Sequence, residues 1–264
     1  MVLKDQLNRL IKLEKTPKRI VSLVPSQTEL ICDLGLESSL VGVTKFCVHP
    51  LHLRSTKTVV GGTKTIHLHK IRSLKPDIIL CNKEENTEAM IADLEQIAPV
   101  HISDIYTLED SLELIEMYGD LLHVKTEANQ MIEAIRSEYE VFQTYIRNKP
   151  TTRVAYFIWK NPWMVAARHT FIDNMLAVNK FVNVFSELER YPVTELSDLK
   201  IRQPEVILLS SEPFPFKEKD KKELHEELPN ATIKIVDGEM FSWYGSRLLK
   251  AFQYFKALHQ DVLM

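Results

Sequence analysis

Two stretches decide how this chain is read: "KPDIILCNKEEN", residues 75–86, and "QPEVILLSSEPF", residues 203–214. In each, a Pro precedes an acidic residue, four apolar residues follow, then polar or small ones, then a Glu: Glu84 in the first and Glu212 in the second. A short apolar run bounded by Pro and polar residues reads as a buried strand with a polar tip. The repeat is not isolated. "RVAYFIW" from Arg153 matches "RIVSLVP" from Arg19, and "TIKIV" from Thr232 matches "PVHIS" from Pro99. The offsets of 134, 128 and 133 residues run in the same order, which points to a duplicated unit.

Within each copy, strands alternate with helical patterns, the signature of an α/β domain with a mostly parallel sheet. Strands are expected at Ile20 to Val24, in "LVGVTKF", in "IIL" before Asn82 and in "VHIS". Ser26 with Glu29 three residues later reads as a capping box opening a helix that Gly35 stops. Between the copies the pattern is purely helical: Ala128, Met131, Ile135, Tyr139, Phe142 and Ile146 recur every three or four residues until Pro150. A helix from His123 to Asn148 would be about 39 Å long, enough to act as a strut between domains. The expected organisation is an α/β fold of two Rossmann-like lobes: residues 1–122, a backbone helix over 123–149, and residues 150–264.

At 264 residues the chain is long enough for two domains of ordinary size. Its 45% hydrophobic and 26% charged residues suit a packed core and exclude a disordered chain. The formal charge of -3 removes the basic surface that nucleic-acid binding needs. Cys32, Cys47 and Cys81 are too few and too widely spaced for a disulfide framework. "MVLKDQLNRLIKLEK" breaks every apolar run with a charge, so no signal peptide is expected within it. The chain as written is expected in the cytoplasm, or in the periplasm or cell envelope if a leader precedes it.

Ligands of open parallel sheets sit beyond the carboxyl ends of the strands. The loops there hold Pro25 and Ser26; Phe46, Cys47 and His49; Trp159 and Trp163; and Trp243, Tyr244 and Arg247. All three tryptophans fall in this set, and such rings suit a large, flat ligand. Half-buried packing is the competing use of the same rings. Cys47 and His49, with His52, His67 and His69 nearby, are soft donors that a metal ion could use, although no closed site has this spacing. "VVGGTKT" lacks phosphate-loop spacing and reads as a tight turn at Gly61 and Gly62. No hydrolase elbow or zincin helix occurs, and no enzyme is expected. Glu84 and Glu212, one at each matched tip, would suit a partner bearing two basic patches.

The set "PKRIVSLVPSQTELICDLG", "VGVTKFCVHP", "VVGGTKTIHLHKIRSLKPDIILCNKEEN" and "QPEVILLSSEPF", with the long helix after Leu122, resembles the helical-backbone substrate-binding proteins of ABC importers. The likeness runs from about Thr16 to Leu258 and is strongest toward the cobalamin-binding branch. It implies two lobes joined by one rigid helix, with cobalamin, haem or a ferric siderophore held between them and no intrinsic cofactor. It also implies a monomer that docks on an ABC permease through an acidic residue on each lobe, by position Glu84 or Glu85 and Glu212. Two other readings stand beside it: a free-metal binder using Cys47 and His49, and an intracellular corrinoid-handling protein detached from transport.

Overall fold

The computed structural model describes residues 2–262. The chain forms two compact units. One comprises residues 1–105, 109–135 and 244–247; the other comprises 106–108, 136–243 and 248–264.

The first unit opens with an antiparallel hairpin, β1 (Val2–Lys4) and β2 (Leu10–Lys12). Buried Asp5 closes it, its Oδ1 accepting from the Leu7 and Arg9 amides at 3.0 and 2.9 Å. The sheet contains β3 (Ile20–Ser22), β4 (Leu40–Val43), β5 (Thr58–Val59), β6 (Ile78–Asn82) and β7 (Val100–Ser103). Its order is β5-β4-β3-β6-β7, parallel throughout. Around it lie α1 (Pro25–Asp33), α2 (Leu53–Thr56), α3 (Leu68–Ser73), α4 (Glu88–Glu95) and α5 (Leu108–Leu122).

α6 (Lys125–Ile146) follows, beginning in the first unit and ending in the second. Its 22 residues give about 33 Å, shorter than the sequence suggests, because His123 takes a left-handed φ of 57° and separates α5 from α6.

The second unit repeats the design with β8 (Thr152–Trp159), β9 (Met164–Val165), β10 (Phe181–Asn183), β11 (Val206–Ser210) and β12 (Thr232–Val236). The order is β10-β8-β11-β12, parallel, with β9 antiparallel to β8. Its helices are α7 (Phe171–Val178), α8 (Leu196–Arg202), α9 (Glu218–Glu227), α10 (Glu239–Ser242) and α11 (Leu248–Val262). The order matches β4-β3-β6-β7, so the sequence matches are equivalent strands: β3 with β8, β6 with β11, and β7 with β12. Every residue of β6 and β11 is buried, as a parallel strand covered on both faces requires.

The duplicated "KPD" and "QPE" serve the amino ends of these strands. Lys75 and Gln203 both take left-handed φ, 46° and 48°, ending the preceding helix where Pro forbids its continuation. Asp77 then accepts the Arg19 amide at 3.0 Å, and Glu205 accepts the Arg153 amide at 2.7 Å. In return the Asp77 and Glu205 amides each donate to the carbonyl of that same arginine at 2.8 Å. Each arginine side chain reaches a carbonyl at the end of the helix that precedes the acidic residue, Leu74 after α3 in one unit and Gln203 after α8 in the other. The repeat is therefore a structural clip that registers two neighbouring strands.

The tight turn at Gly61 and Gly62 is present. The Gly62 amide donates to the Thr65 carbonyl at 2.7 Å, and Gly61 has φ of +126°. A Cβ at Gly61 would lie 2.4 Å from that carbonyl oxygen, so only glycine fits. Among the described residues, no helix is long and apolar enough to cross a membrane.

Candidate functional site

The carboxyl end of β8 and the loops beyond the second sheet carry an aromatic ladder. Phe157 meets the edge of Trp163 at 5.4 Å between centroids, and Trp163 lies parallel to Phe216 at 6.0 Å and 6°. Phe216 meets Phe214 at 4.8 Å, and Phe214 meets Trp159 at 5.6 Å, both edge-on. The inner end belongs to the core and the outer end does not: Phe157 is fully buried, whereas Trp159 is 39% exposed. Lys160 holds the middle, its Nζ 5.0 Å from the centroid of Trp163 and 2.8 Å from buried Asp220. Sequence reading found the tryptophans but not the part of Phe214 and Lys160. The alternation Pro213-Phe214-Pro215-Phe216 was the available signal, since two prolines leave the rings on a stiff loop.

In the first unit, Phe46 is 49% exposed, with Lys45 Nζ 4.9 Å from its ring centroid. Pro25 starts α1, and His49 is half-buried. The expected capping box does not form. Val24 is the N-cap and makes no side-chain cap bond, while Glu29 is drawn instead to Arg247, Oε2 to Nε 2.8 Å. A charge-assisted bond in a buried setting outweighs a cap that water could replace.

Five of the expected ligand residues are buried rather than open to solvent. Ser26, Cys47, Trp243, Tyr244 and Arg247 are all buried. The Cys47 thiol sits 3.1 and 3.3 Å from the hydroxyls of Thr28 and Thr44, and burial pushes its pKa up, so it is a poor metal ligand. His52 pairs with Glu37 at 2.7 Å. Among the described residues no three His, Cys, Asp or Glu side chains are grouped to hold a metal ion.

Tyr244 belongs to a network that sequence reading missed. Gln27 Nε2 donates to Ser103 Oγ at 2.6 Å and to Tyr244 OH at 3.0 Å, while Tyr118 OH donates to Gln27 Oε1 at 2.7 Å. Asn82 Nδ2 donates to the same Ser103 Oγ at 2.9 Å. Its Oδ1 accepts the amides of Glu84 and Glu85 at 2.9 and 3.1 Å. The acidic loop is thus tied to the interior of the first unit.

Glu84 and Glu212, the strand-tip acids expected to meet a basic partner, are half-buried rather than exposed, and so is Glu85. Burial raises the carboxyl pKa of Glu85 and of Glu212. The acids exposed at matched positions are Glu88 and Glu218, the first residues of α4 and α9, which follow the equivalent strands β6 and β11. Sequence matching stopped at the strand tips and did not reach these helix starts.

The chain matches the family model described as periplasmic binding protein over residues 20–231. It is 28% identical over 183 residues to the uncharacterized ABC transporter substrate-binding lipoprotein YvrC of Bacillus subtilis, covering 66% of this chain and 57% of that protein's length. It is 27% identical over 202 residues to a vitamin B12-binding protein of Vibrio cholerae, covering 73% of this chain and 70% of that one. The solved periplasmic haem-binding protein RhuT from Roseiflexus sp. RS-1 has the same fold: the TM-score is 0.82 over 94% of this chain and 99% of that one, at 17% identity.

Proposed function

Because the chain belongs to the periplasmic binding protein family, we propose that it is the substrate-binding component of an ABC-type importer, acting outside the cytoplasmic membrane, and that it carries a metal chelate of cobalamin or haem type. The observation that carries this reading is the aromatic ladder ending in half-exposed Trp159, a stiff apolar platform in the loops where α/β ligands bind. A macrocycle or chelate offers the flat apolar area that such rings cover. The relative named for vitamin B12 binding supports cobalamin ahead of haem or a ferric siderophore. The relatives are named as binding proteins, which supports carriage without turnover.

Isothermal titration with cyanocobalamin, cobinamide and haemin tests the reading. At least one is expected to bind at micromolar concentration or tighter, and Trp159→Ala is expected to weaken it about tenfold, in line with loss of one aromatic contact. Absence of binding for all three would sink it.

A permease partner belongs to the same reading. Exposure favours Glu88 and Glu218 over half-buried Glu84, Glu85 and Glu212 as the groups that meet its basic side chains. Charge reversal of Glu88 and Glu218 together is expected to leave ligand affinity within about twofold and to cut cellular uptake of labelled cyanocobalamin by about tenfold or more. Unchanged uptake would remove these two residues from the docking surface.

A further inference from the structure

Glu212 follows β11 in the second unit, and its carboxylate is occupied from inside the protein. Oε1 accepts from Ser242 Oγ at 2.8 Å and from Trp243 Nε1 at 2.9 Å. The backbone around it is fixed as well: Ser210 Oγ donates to the Glu212 carbonyl at 2.5 Å and accepts from Tyr156 OH at 3.2 Å. Gly238 leaves the space that this arrangement needs. A Cβ there would lie 2.2 Å from Ser210 Oγ and 2.7 Å from Glu212 Cγ, so even alanine would force the grip open.

One peptide bond beyond Trp243, the chain re-enters the first unit at Tyr244. There it is pinned again. Tyr244 OH accepts from Gln27 at 3.0 Å, the Gly245 amide donates to Ser111 Oγ at 2.8 Å, and Arg247 pairs with Glu29 at 2.8 Å. Residues 242–247 are therefore a strap with hydrogen bonds at each end, Glu212 on Ser242 and Trp243, and Gln27, Ser111 and Glu29 on Tyr244, Gly245 and Arg247.

We propose that Glu212 is a positioning residue: it latches Ser242 and Trp243 and so sets the strap that delivers Tyr244, Gly245 and Arg247 to their partners. A half-buried carboxylate accepting two donors on one oxygen is a stiff anchor, because releasing either donor strands a polar group away from water. Its part in ligand binding rests on the function proposed above, since the strap carries a tryptophan and a tyrosine of the candidate loops. The latch itself does not depend on that reading.

Hydrogen exchange tests it without any ligand. In Glu212→Ala the Trp243 indole N–H and the Gly245 amide are expected to exchange about tenfold faster or more, the scale of losing a charge-assisted hydrogen bond. Glu212→Gln keeps an acceptor oxygen and is expected to restore most of the protection. The Leu23 amide, bonded to the Leu80 carbonyl at 3.0 Å in the first sheet, is the internal control and is expected to hold. Two results overturn the proposal: Gly245 unchanged while the indole is freed, or Gly245 and Leu23 accelerated equally, which is general destabilisation. Should Glu212→Ala not fold, Trp243→Phe removes the donor alone and is read at Gly245 in the same way. Titrating haemin and cyanocobalamin into these variants separates the two claims. If the wild type binds neither, the ligand reading fails, and the exchange comparison still decides the latch.

Discussion

Arg247→Met is expected to destabilise the protein by about 3–5 kcal/mol, because it leaves the Glu29 carboxylate buried without its counter-charge. The pair is 2.8 Å apart, with side chains only 5% and 4% exposed. At that depth little water can take over from the lost partner. Glu29→Gln leaves the complementary defect, a guanidinium facing a neutral amide, and is expected to cost a comparable amount. The double variant Glu29→Leu with Arg247→Met removes both charges together and is expected to recover most of the loss, since a buried ion pair gives little net stability over an apolar pair of similar volume. Urea unfolding of the four proteins measures this coupling. Single-variant losses under about 1 kcal/mol would put the pair in the class of solvated surface bridges and remove the claim.

The second large effect is a loss of stability in acid traced to His101. This residue lies in β7, is 1% exposed, and has its ring edge-on to Tyr118 at 5.2 Å. Burial, with the Arg9 charge adding to it, lowers its pKa from 6.5 to about 4. The folded protein holds the ring neutral, whereas the unfolded chain protonates it below pH 6.5. His101 therefore costs nothing above that pH; the cost grows as pH falls from 6.5 to about 4, and it is constant below. A difference of this size is about 3 kcal/mol, at 1.36 kcal/mol per pH unit. His259 is shifted in the same direction, to about 4, and adds to the loss. Glu85 and Glu212 act the other way: their raised pKa values let the folded state take up protons first, which restores stability as pH falls through their range. His101→Phe keeps the aromatic edge against Tyr118 and removes the titration. Its stability difference between pH 7 and pH 4 is expected to be about 3 kcal/mol smaller than that of the wild type. Equal pH dependence in the two proteins would show that His101 is not the acid-sensitive group.

The fold was largely legible because its signals are local. Short apolar runs, a Pro before those of β6 and β11, and a three-and-four repeat along α6 depend only on neighbours in the chain. The duplication was visible for the same reason: "KPDIIL" and "QPEVIL" solve one local problem twice, the clip between a helix end and two strands. The N-terminal hairpin was missed. Its strands are three residues each, and what holds the turn is Asp5, whose Oδ2 also accepts the Ile102 amide at 3.3 Å from 97 positions away.

The site was legible only in outline. Position in the chain located the loops and their tryptophans, but not which side chains remain available. Trp159 and Trp163 share a ladder because Phe214 and Phe216 fold between them. Cys47, Tyr244 and Arg247 look from the sequence like polar groups for a ligand, and in the fold they hydrogen-bond to Thr28, Gln27 and Glu29.

By itself, the sequence determined two α/β units, their duplication and the loops where a ligand would be met, since hydrophobic period and helix termination are short-range properties. Only the tertiary structure decided the fate of the acids and the polar loop residues. Glu212 finds Trp243 across 31 positions, and Glu29 finds Arg247 across 218. A charge is left exposed or taken inward according to the partner that folding brings to it, and that partner is not written beside it.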